Sequence, residues 1–185
     1  MNLSTLFRLE ENLHLDKKTL VTLRWIAIIG QLISINLVYY YLNLNLPIFE
    51  SHIILFIGLV TNLFLQFKVK QNQLNDIYST LFLLFDIIQL SLLLYLTGGI
   101  LNPFSLLLIV PAIVSSTFLS MGSTIILGFF TVFTLFLLTQ FFLPLPGMLE
   151  YSFFFPFFYQ IGIFIAILVG LIFLSYFGIK FSGET

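Results

Sequence analysis

The residues best suited to chemistry lie in one short polar stretch, Thr97 to Phe104, between two long apolar runs. Two adjacent glycines, Gly98 and Gly99, tolerate positive φ angles and suit the end of a helix. Asn102 followed by Pro103 is typical of an N-cap and a first-turn proline, which predicts that a new helix begins there. We therefore expect a turn with free backbone N–H groups at a membrane boundary. The positive end of the helix dipole would favour an oxygen acceptor at that position.

A second candidate is Asp86, the only ionisable side chain deep inside any predicted span. It lies about nine residues into its helix, roughly 14 Å at 1.5 Å per residue, and so near the middle of a bilayer. Because an ionised carboxylate there costs at least ~2.5 kcal/mol, we expect a protonated, hydrogen-bonded or cavity-facing group. Gln89 lies one turn away and Gln31 lies at similar depth in the first helix. Two interpretations stay open: a proton relay or sensor carboxyl, and a neutral acid that holds helices together.

The composition excludes a soluble domain. Of the 185 residues, 59% are hydrophobic and only 8% are charged, whereas a typical soluble domain has about 25% charged residues. The apolar runs reach roughly 20 residues, the length of helix that crosses a ~30 Å hydrocarbon layer. Since lipid cannot satisfy an exposed backbone, these runs must be helical. The sequence therefore predicts an all-α, polytopic integral membrane protein.

Several kinds of site lack the residues that they need. The sequence contains no cysteine, which excludes thiolate metal sites and thiol nucleophiles. Its two histidines, His14 and His52, lie near the predicted membrane surfaces, which disfavours a bis-histidine haem. Nucleotide loops, phosphoacceptor histidine motifs and acidic Mg²⁺ clusters are also missing. We therefore expect no catalytic residue and no metal site in this chain, and, without a basic field, no nucleic-acid partner.

Six transmembrane helices are predicted, between a leader at residues 1–19 and the start of a cytoplasmic extension at 180–185. The helices are expected at residues 20–42, 51–67, 77–96, 103–119, 124–142 and 157–179. Pro111 predicts a kink in the fourth helix, because it lacks an N–H group and its ring crowds the carbonyl of Leu107.

The basic residues predict the orientation. With six spans both termini share one side, and all seven Lys and Arg residues fall on that side. Basic residues mark the cytoplasmic side, so both termini are predicted to be cytoplasmic and the turn at Gly98–Phe104 to be at the outer face. Arg24 and Trp25, at the start of the first helix, are expected at headgroup level, with the arginine snorkelling to the surface.

Gly98-Gly99-Ile100-Leu101-Asn102-Pro103-Phe104 fits the pattern GGxxNPF. In this the chain resembles the RegB/PrrB-type redox-sensing histidine kinases, whose quinone-binding heptapeptide has that pattern. The stretch Leu23–Gln31 also resembles the start of that family's first transmembrane helix. The resemblance implies a sensor module in a bacterial inner membrane that binds ubiquinone or a related quinone. It further implies a full-length protein that autophosphorylates a histidine and passes the phosphate to a response regulator, through a kinase region expected beyond Thr185.

By this resemblance, the turn supplies donors for the quinone carbonyls, an aromatic wall for the ring, and access from lipid for the tail. Asn102 would add an amide donor if its capping role leaves it free. The expected quinone-binding residues are Tyr95, Thr97, Gly98, Gly99, Asn102, Pro103 and Phe104. From the residues alone, the same turn is also a good connection between two antiparallel helices.

Small residues recur every four positions in the sixth helix, at Gly162, Ala166 and Gly170. This spacing allows close helix approach. It suits either internal packing or the seam of a homodimer, which a sensor that drives paired catalytic domains would need.

Two rival functions stay open. One is a small proton-coupled transporter, in which the kinked fourth helix and Asp86 would line a path. Against it, the chain shows no evident pair of matching halves. The other is a membrane anchor without a ligand.

Overall fold

The structure, a computed structural model, describes residues 15–144, 147 and 155–182. The predicted leader at residues 1–19 lies mostly outside this part of the chain. The described residues are predominantly helical. In chain order the elements are β1 (Leu15–Asp16), α1 (Lys17–Asn36, continued by a π-helical turn at Leu37–Tyr41), α2 (Ile48–Lys68), β2 (Gln73–Leu74), α3 (Asp76–Leu96), a 3₁₀ turn (Gly99–Leu101), a 3₁₀ segment (Pro103–Ile109), α4 (Val110–Phe118), α5 (Met121–Gln140) and α6 (Phe157–Ser182).

Five helices are long and apolar enough to cross a membrane: α1 with its π-helical turn, α2, α3, α5 and α6. The fourth predicted helix exists as a shorter apolar stretch, Pro103–Phe118. It is a 3₁₀ segment of seven residues followed by an α-helix of nine. Because 3₁₀ geometry rises about 2.0 Å per residue and α-helical geometry about 1.5 Å, this short stretch still extends for about 27 Å.

Pro111 was predicted to kink a continuous α-helix, and this prediction is wrong. It lies in the first turn of α4, immediately after the change from 3₁₀ to α geometry at Val110. The carbonyl of Leu107, which the proline ring would crowd in a continuous α-helix, accepts the N–H of Val110 instead.

Polar side chains cap three of these elements. Asn75 accepts a hydrogen bond from the N–H of Tyr78 at the start of α3, and Ser120 does the same for Ser123 at the start of α5. Asn102 caps the 3₁₀ segment, as predicted. Compared with the prediction, α1, α2 and α5 begin three residues earlier and α3 begins one residue earlier.

A short strand pair was not predicted. β1 pairs antiparallel with β2, so that Leu15 lies opposite Leu74, and both side chains are buried. Lys17 donates from its backbone to the carbonyl of Asn72 and from Nζ to the carbonyl of Val69, each at 2.9 Å. The chain before α1 is thereby held against the loop between α2 and α3.

Successive helices run antiparallel. We call the end at which α1, α3 and α5 begin the basic end, and the opposite end, with Gly98–Phe104, the turn end. The lysines of the described helices and loops lie at the basic end: Lys17, Lys18, Lys68, Lys70 and Lys180.

The first three helices pack in chain order, and the later helices also contact helices that are not their neighbours in the chain. α1 packs on α2, α2 on α3, and α3 on α5, while α4 lies against α5 and α6. Their inner faces form a core of leucine and isoleucine side chains that extends from Leu20 in α1 to Leu171 in α6. Large apolar side chains such as Phe129 and Phe158 remain exposed on the outer faces. An exposed apolar surface of this kind suits lipid as the solvent.

The small-residue stripe of α6 does not pack inside the bundle. Gly162 and Ala166 are exposed, and a Cβ placed on Gly162 or Gly170 would meet no described atom within 4 Å. The close approach is made instead by Gly178, where an added Cβ would overlap the side chain of Ser116 in α4. The internal-packing interpretation of the stripe is therefore wrong among the described residues.

Candidate functional site

The two glycines of the turn adopt the conformation that the sequence predicts. Gly98 has a φ angle of 110° and Gly99 one of 59°. Gly99 is required for a second reason, because an added Cβ would lie 2.6 Å from the carbonyl oxygen of Leu138 and 2.6 Å from the Cβ of Phe142. The turn therefore packs its backbone directly against the end of α5.

Asn102 closes the turn with both ends of its side chain. Its Oδ1 accepts the N–H of Phe104 at 2.9 Å. Its Nδ2 donates to the hydroxyl of Thr97 at 2.8 Å and to the carbonyl of Thr97 at 3.1 Å. Thr97 in turn donates its hydroxyl to the carbonyl of Leu93 at 2.7 Å. The amide of Asn102 is thus occupied within the turn, so the condition under which it would be a free donor for a ligand is not met.

Backbone N–H groups of the turn are also used within it. The N–H of Leu101 donates to Gly98 and that of Asn102 to Gly99, while the N–H of Ser105 donates to the carbonyl of Asn102 at 2.9 Å. Together with the capped N–H of Phe104, these contacts contradict the expectation that the start of the helix presents free N–H groups. The positive end of the helix dipole remains at this position.

The predicted quinone-binding residues fall into two groups. Thr97, Gly98 and Gly99 are buried and Asn102 is partly buried, so these residues build the turn. Tyr95, Pro103 and Phe104 are exposed, with 41% of Tyr95 and 46% of Phe104 accessible. Only this second group offers side-chain surface to a molecule arriving from the membrane.

The turn also touches the last helix of the bundle. Both the 3₁₀ turn at Gly99–Leu101 and the 3₁₀ segment contact α6 as well as α5. The sequence does not reveal this contact, because α6 follows the turn by more than fifty residues. The turn and α6 are therefore in direct contact, without an intervening helix.

Asp86 is paired with an arginine inside the bundle. Arg24 Nε donates to Asp86 Oδ1 at 2.8 Å, and the Arg24 side chain is only 3% exposed. Arg24 Nη2 also donates to Thr61 at 2.9 Å, and the rings of Phe82 and Phe85 lie 5.3 and 5.5 Å from its guanidinium carbon. The expectation that Arg24 snorkels to the headgroups is therefore wrong. Because α1 begins at Lys17, Arg24 lies two turns inside it, within reach of Asp86.

A second polar contact lies further along the same helices. Gln89 Nε2 donates to Gln31 Oε1 at 3.0 Å, which joins α3 to α1. Gly58 of α2 makes room for this contact, since an added Cβ would lie 2.8 Å from Gln89 Nε2. We call the six residues of these two levels the polar seam: Arg24, Thr61, Asp86, Gln31, Gly58 and Gln89.

Of the two interpretations of Asp86, these contacts favour a residue that holds helices together, while a proton relay or sensor carboxyl stays a prediction. The carboxylate of Asp86 accepts a hydrogen bond from the guanidinium of Arg24, and the amide of Gln89 donates to that of Gln31. Such contacts fix α1 and α3 against α2. Sequence reasoning missed Thr61 and Gly58, although a small residue and a hydroxyl one turn apart in an apolar helix are the available signal.

A third polar cluster holds the basic end together. The carboxylate of Asp76 accepts hydrogen bonds from the backbone N–H and the hydroxyl of Ser120, both at 2.8 Å, and from the hydroxyl of Ser123. These contacts join the start of α3 to the turn between α4 and α5. Asp76 was assigned no role from the sequence.

An apolar groove of about 410 Å³ lies between α3 and α5. Its lining is entirely aliphatic or aromatic: Leu84, Ile88, Ile125, Ile126, Phe129 and Phe130. A groove without polar atoms suits a hydrocarbon chain and not a polar head group. No metal-binding group of three His, Cys, Asp or Glu residues occurs in the part of the chain that the structure describes.

Comparisons with known proteins give one relationship. The sensor histidine kinase RegB of Cereibacter sphaeroides is 36% identical over 159 residues, which cover 85% of this chain and 34% of RegB. A second RegB sequence, from a strain of that species, is 35% identical over 75 residues, or 40% of this chain and 16% of the relative. No family model and no solved structure matches the chain. The chain thus spans about a third of the length of the first relative, and it is homologous to part of a sensor histidine kinase.

Proposed function

We propose that this chain is the membrane sensor module of a two-component histidine kinase, and that it senses redox state by binding ubiquinone or a related quinone beside the turn at Gly98–Phe104. The observation that carries the proposal is the placement of the turn. It is braced internally by Asn102, it exposes aromatic side chains toward lipid, and it contacts α6. The homology to RegB supplies the class of protein.

The exposed group of turn residues would contact the quinone ring. Phe104 and Tyr95 offer aromatic surface, and the phenol of Tyr95 is a hydrogen-bond donor suited to a carbonyl oxygen. The buried group, with Asn102 at its centre, positions these side chains. The dipole of the 3₁₀ segment adds a favourable field for an oxygen atom at its start.

The groove between α3 and α5 suits the isoprenoid tail of the same ligand. Tyr95 and Ile88 lie two turns apart on α3, and the exposed Leu92 lies between them. An apolar track therefore leads along one face of α3 from the turn to the groove, a distance of about 10 Å at 1.5 Å per residue.

Signal output would pass through α6. A quinone shifts the bundle toward one packing only if that packing binds it more tightly than the alternative does. The turn contacts α6 directly, so a change in turn shape alters the position of α6 at the basic end. Through α6, a kinase region would respond and would pass phosphate to a response regulator.

The chain would cross a bacterial inner membrane six times. Its basic end and both termini would then face the cytoplasm. The clustering of the described lysines at one end supports this orientation. The stretch Pro103–Phe118, part 3₁₀ and part α-helical, would be the sixth crossing, because its length of about 27 Å comes close to the ~30 Å of a hydrocarbon core.

Tryptophan emission tests the binding site. Trp25 lies about two turns inside α1, in the half of the bundle nearer the basic end, so the native protein reports binding there. A Trp25→Phe, Leu143→Trp variant reports from beside Tyr95, whose carbonyl accepts the N–H of Leu143. In nanodiscs, ubiquinone should quench the turn reporter saturably and Trp25 only in proportion to its concentration in lipid. Equal, unsaturable quenching of both reporters would refute the site.

A chimera tests the output. In RegB of Cereibacter sphaeroides, the matched segment would be replaced by this chain, and autophosphorylation would be measured with oxidised and reduced ubiquinone. We expect the two redox forms to give different rates, and Phe104→Ala to abolish the difference. Equal rates in both forms, with binding intact, would contradict the sensor function.

The transporter alternative finds less support. It needs a free carboxyl along a polar path, whereas the carboxylate of Asp86 is paired with Arg24.

A further inference from the structure

The stretch Pro103–Phe118 combines two kinds of helix. Its first seven residues, Pro103–Ile109, are 3₁₀ and its last nine, Val110–Phe118, are α-helical. Runs of 3₁₀ geometry longer than three or four residues are uncommon, because their hydrogen bonds are less favourable than those of an α-helix. A run of this length therefore requires a local cause.

Two contacts supply that cause. In α geometry the ring of Pro111 would crowd the carbonyl of Leu107, whereas here that carbonyl accepts the N–H of Val110. In a 3₁₀ ladder the carbonyl of Leu108 would receive the N–H that Pro111 lacks. The buried hydroxyl of Thr131 in α5 donates a long hydrogen bond to this carbonyl instead, at 3.5 Å.

The 3₁₀ segment lies between two fixed contacts. At its start, the Asn102 cap and the bond from the Ser105 hydroxyl to the carbonyl of Ile100 tie it to the turn. Beyond its end, α4 presents Ser116 to Gly178 of α6, so closely that a Cβ on the glycine would overlap the serine. α4 and α6 therefore meet without a gap at the basic end.

We propose that the 3₁₀ segment is a length-adjusting link that sets the position of α6. Its conversion to α geometry shortens seven residues by about 3.5 Å, because the rise per residue falls from about 2.0 to 1.5 Å. Because Ser116 packs directly on Gly178, α6 moves with α4 relative to α5, and this movement must break the hydrogen bond between Ser115 of α4 and Thr124 of α5. The proposed function enters only through the trigger, which is a ligand seated at the turn.

Distance measurements between two spin labels test the link. The chain has no cysteine, so Phe136→Cys in α5 and Tyr176→Cys in α6 give two unique, exposed labelling positions at different depths. In nanodiscs, pulsed electron resonance would compare the labelled parent with Pro111→Ala, which restores the missing N–H and removes the crowding ring. We expect the mean distance to change by about 2–3 Å, as axial shortening of the link requires.

Two further variants sharpen this test. Thr131→Val removes the hydroxyl that supports the 3₁₀ form without changing the side-chain shape, and should shift the distance in the same direction. Pro47→Ala changes a proline that also precedes a helix, but outside the link, and should leave the distance unchanged. If Pro111→Ala and Thr131→Val both leave the parent distance unchanged within about 1 Å, a fraction of the ~3.5 Å shortening, the link is refuted.

Adding a short-chain ubiquinone separates the link from the proposed function. A quinone-dependent shift in the parent that disappears in Pro111→Ala, while the turn reporter still shows binding, supports both. Binding without any shift in the parent contradicts the link as the quinone response and leaves the binding site standing. Absence of binding in every variant overturns the quinone site, and the variant distances then decide the link alone.

Discussion

At the scale of single residues, the polar seam explains how charged side chains are tolerated inside an apolar bundle. Arg24 and Asp86 each compensate the charge of the other, and Thr61 takes a further guanidinium N–H. Neither charge would be stable at this depth alone, because an unpaired ion in a low-dielectric interior keeps its full desolvation penalty. The pair is thus a specific connection between α1 and α3.

Removing one member of the pair should be costly. Asp86→Leu leaves Arg24 buried and unpaired, so we expect a loss of about 3–5 kcal/mol in the free energy of unfolding. The double variant Arg24→Leu, Asp86→Leu should recover most of it, since both charges are gone. Reversible unfolding in detergent or bicelles measures these differences, with Glu50→Gln as a control in the first turn of α2. A single variant as stable as the parent would contradict a structural role for the pair.

Gly58 offers a second test within the polar seam. Gly58→Ala places a methyl group where Gln89 now passes, so we expect a destabilisation of about 1–3 kcal/mol. Gly30→Ala in α1 is the matched control, because its Cβ would meet no described atom within 4 Å. Adding Gln89→Ala to Gly58→Ala should remove most of the loss. Equal effects of Gly58→Ala and Gly30→Ala in unfolding measurements would rule out the proposed crowding.

At the scale of elements, the turn separates residues that shape it from residues that face the membrane. Asn102 bridges Thr97 and Phe104, whereas the ring of Phe104 is exposed. The heptapeptide thus contains a scaffold and a contact surface, which a consensus pattern does not distinguish.

This separation predicts different effects for two alanine substitutions. Asn102→Ala removes a cap and two bonds to Thr97, and should lower the free energy of unfolding by about 1–2 kcal/mol. Phe104→Ala should leave stability nearly unchanged and weaken quinone binding, because it removes an exposed ring. Unfolding curves and quenching of the turn reporter measure the two effects, with Tyr41→Ala as a control at another exposed aromatic residue. The division of roles fails if Phe104→Ala destabilises as much as Asn102→Ala.

At the scale of the whole molecule, α6 has two different faces. Ile167, Leu171 and Gly178 face the bundle, where Gly178 meets Ser116. Gly162 and Ala166 face outward, with no described neighbour close to Gly162. An outward small-residue stripe is the geometry that lets a second helix approach closely, so the homodimer seam, one of the two interpretations from sequence, stays a prediction.

Substitutions on the outward face of α6 should therefore affect dimer formation, and a substitution on the inward face should affect the stability of the bundle. Gly162→Leu with Gly170→Leu should abolish dimers in nanodiscs, counted by single-molecule photobleaching, without changing the unfolding curve. Gly178→Leu should destabilise the bundle, because its side chain would overlap Ser116. A dimer that survives the double substitution would place the homodimer interface elsewhere. A parent chain that is monomeric in nanodiscs would exclude the homodimer.

The sequence by itself determined the predominantly helical architecture, with helices long and apolar enough to cross a membrane, and the form of the turn. Apolar runs of span length leave a helix as the available structure, and Gly-Gly followed by Asn-Pro permits few backbone conformations. Both the apolar runs and the Gly-Gly, Asn-Pro pattern are local features of the sequence, so they can be recognised without knowledge of the tertiary structure. The homology to RegB agrees with the resemblance found in those residues, while quinone binding remains a prediction.

Only the tertiary structure decided which side chains meet. Arg24 and Asp86 are 62 positions apart, and no pattern within either helix shows that they pair. Two further features depend on neighbours from other helices. Gly58 of α2 makes room for Gln89 of α3, and Thr131 of α5 donates to the 3₁₀ segment before Pro111. Lipid makes most helix surfaces equivalent in hydrophobicity, so the periodicity of the sequence cannot show which face is buried; packing and polar pairing make that choice.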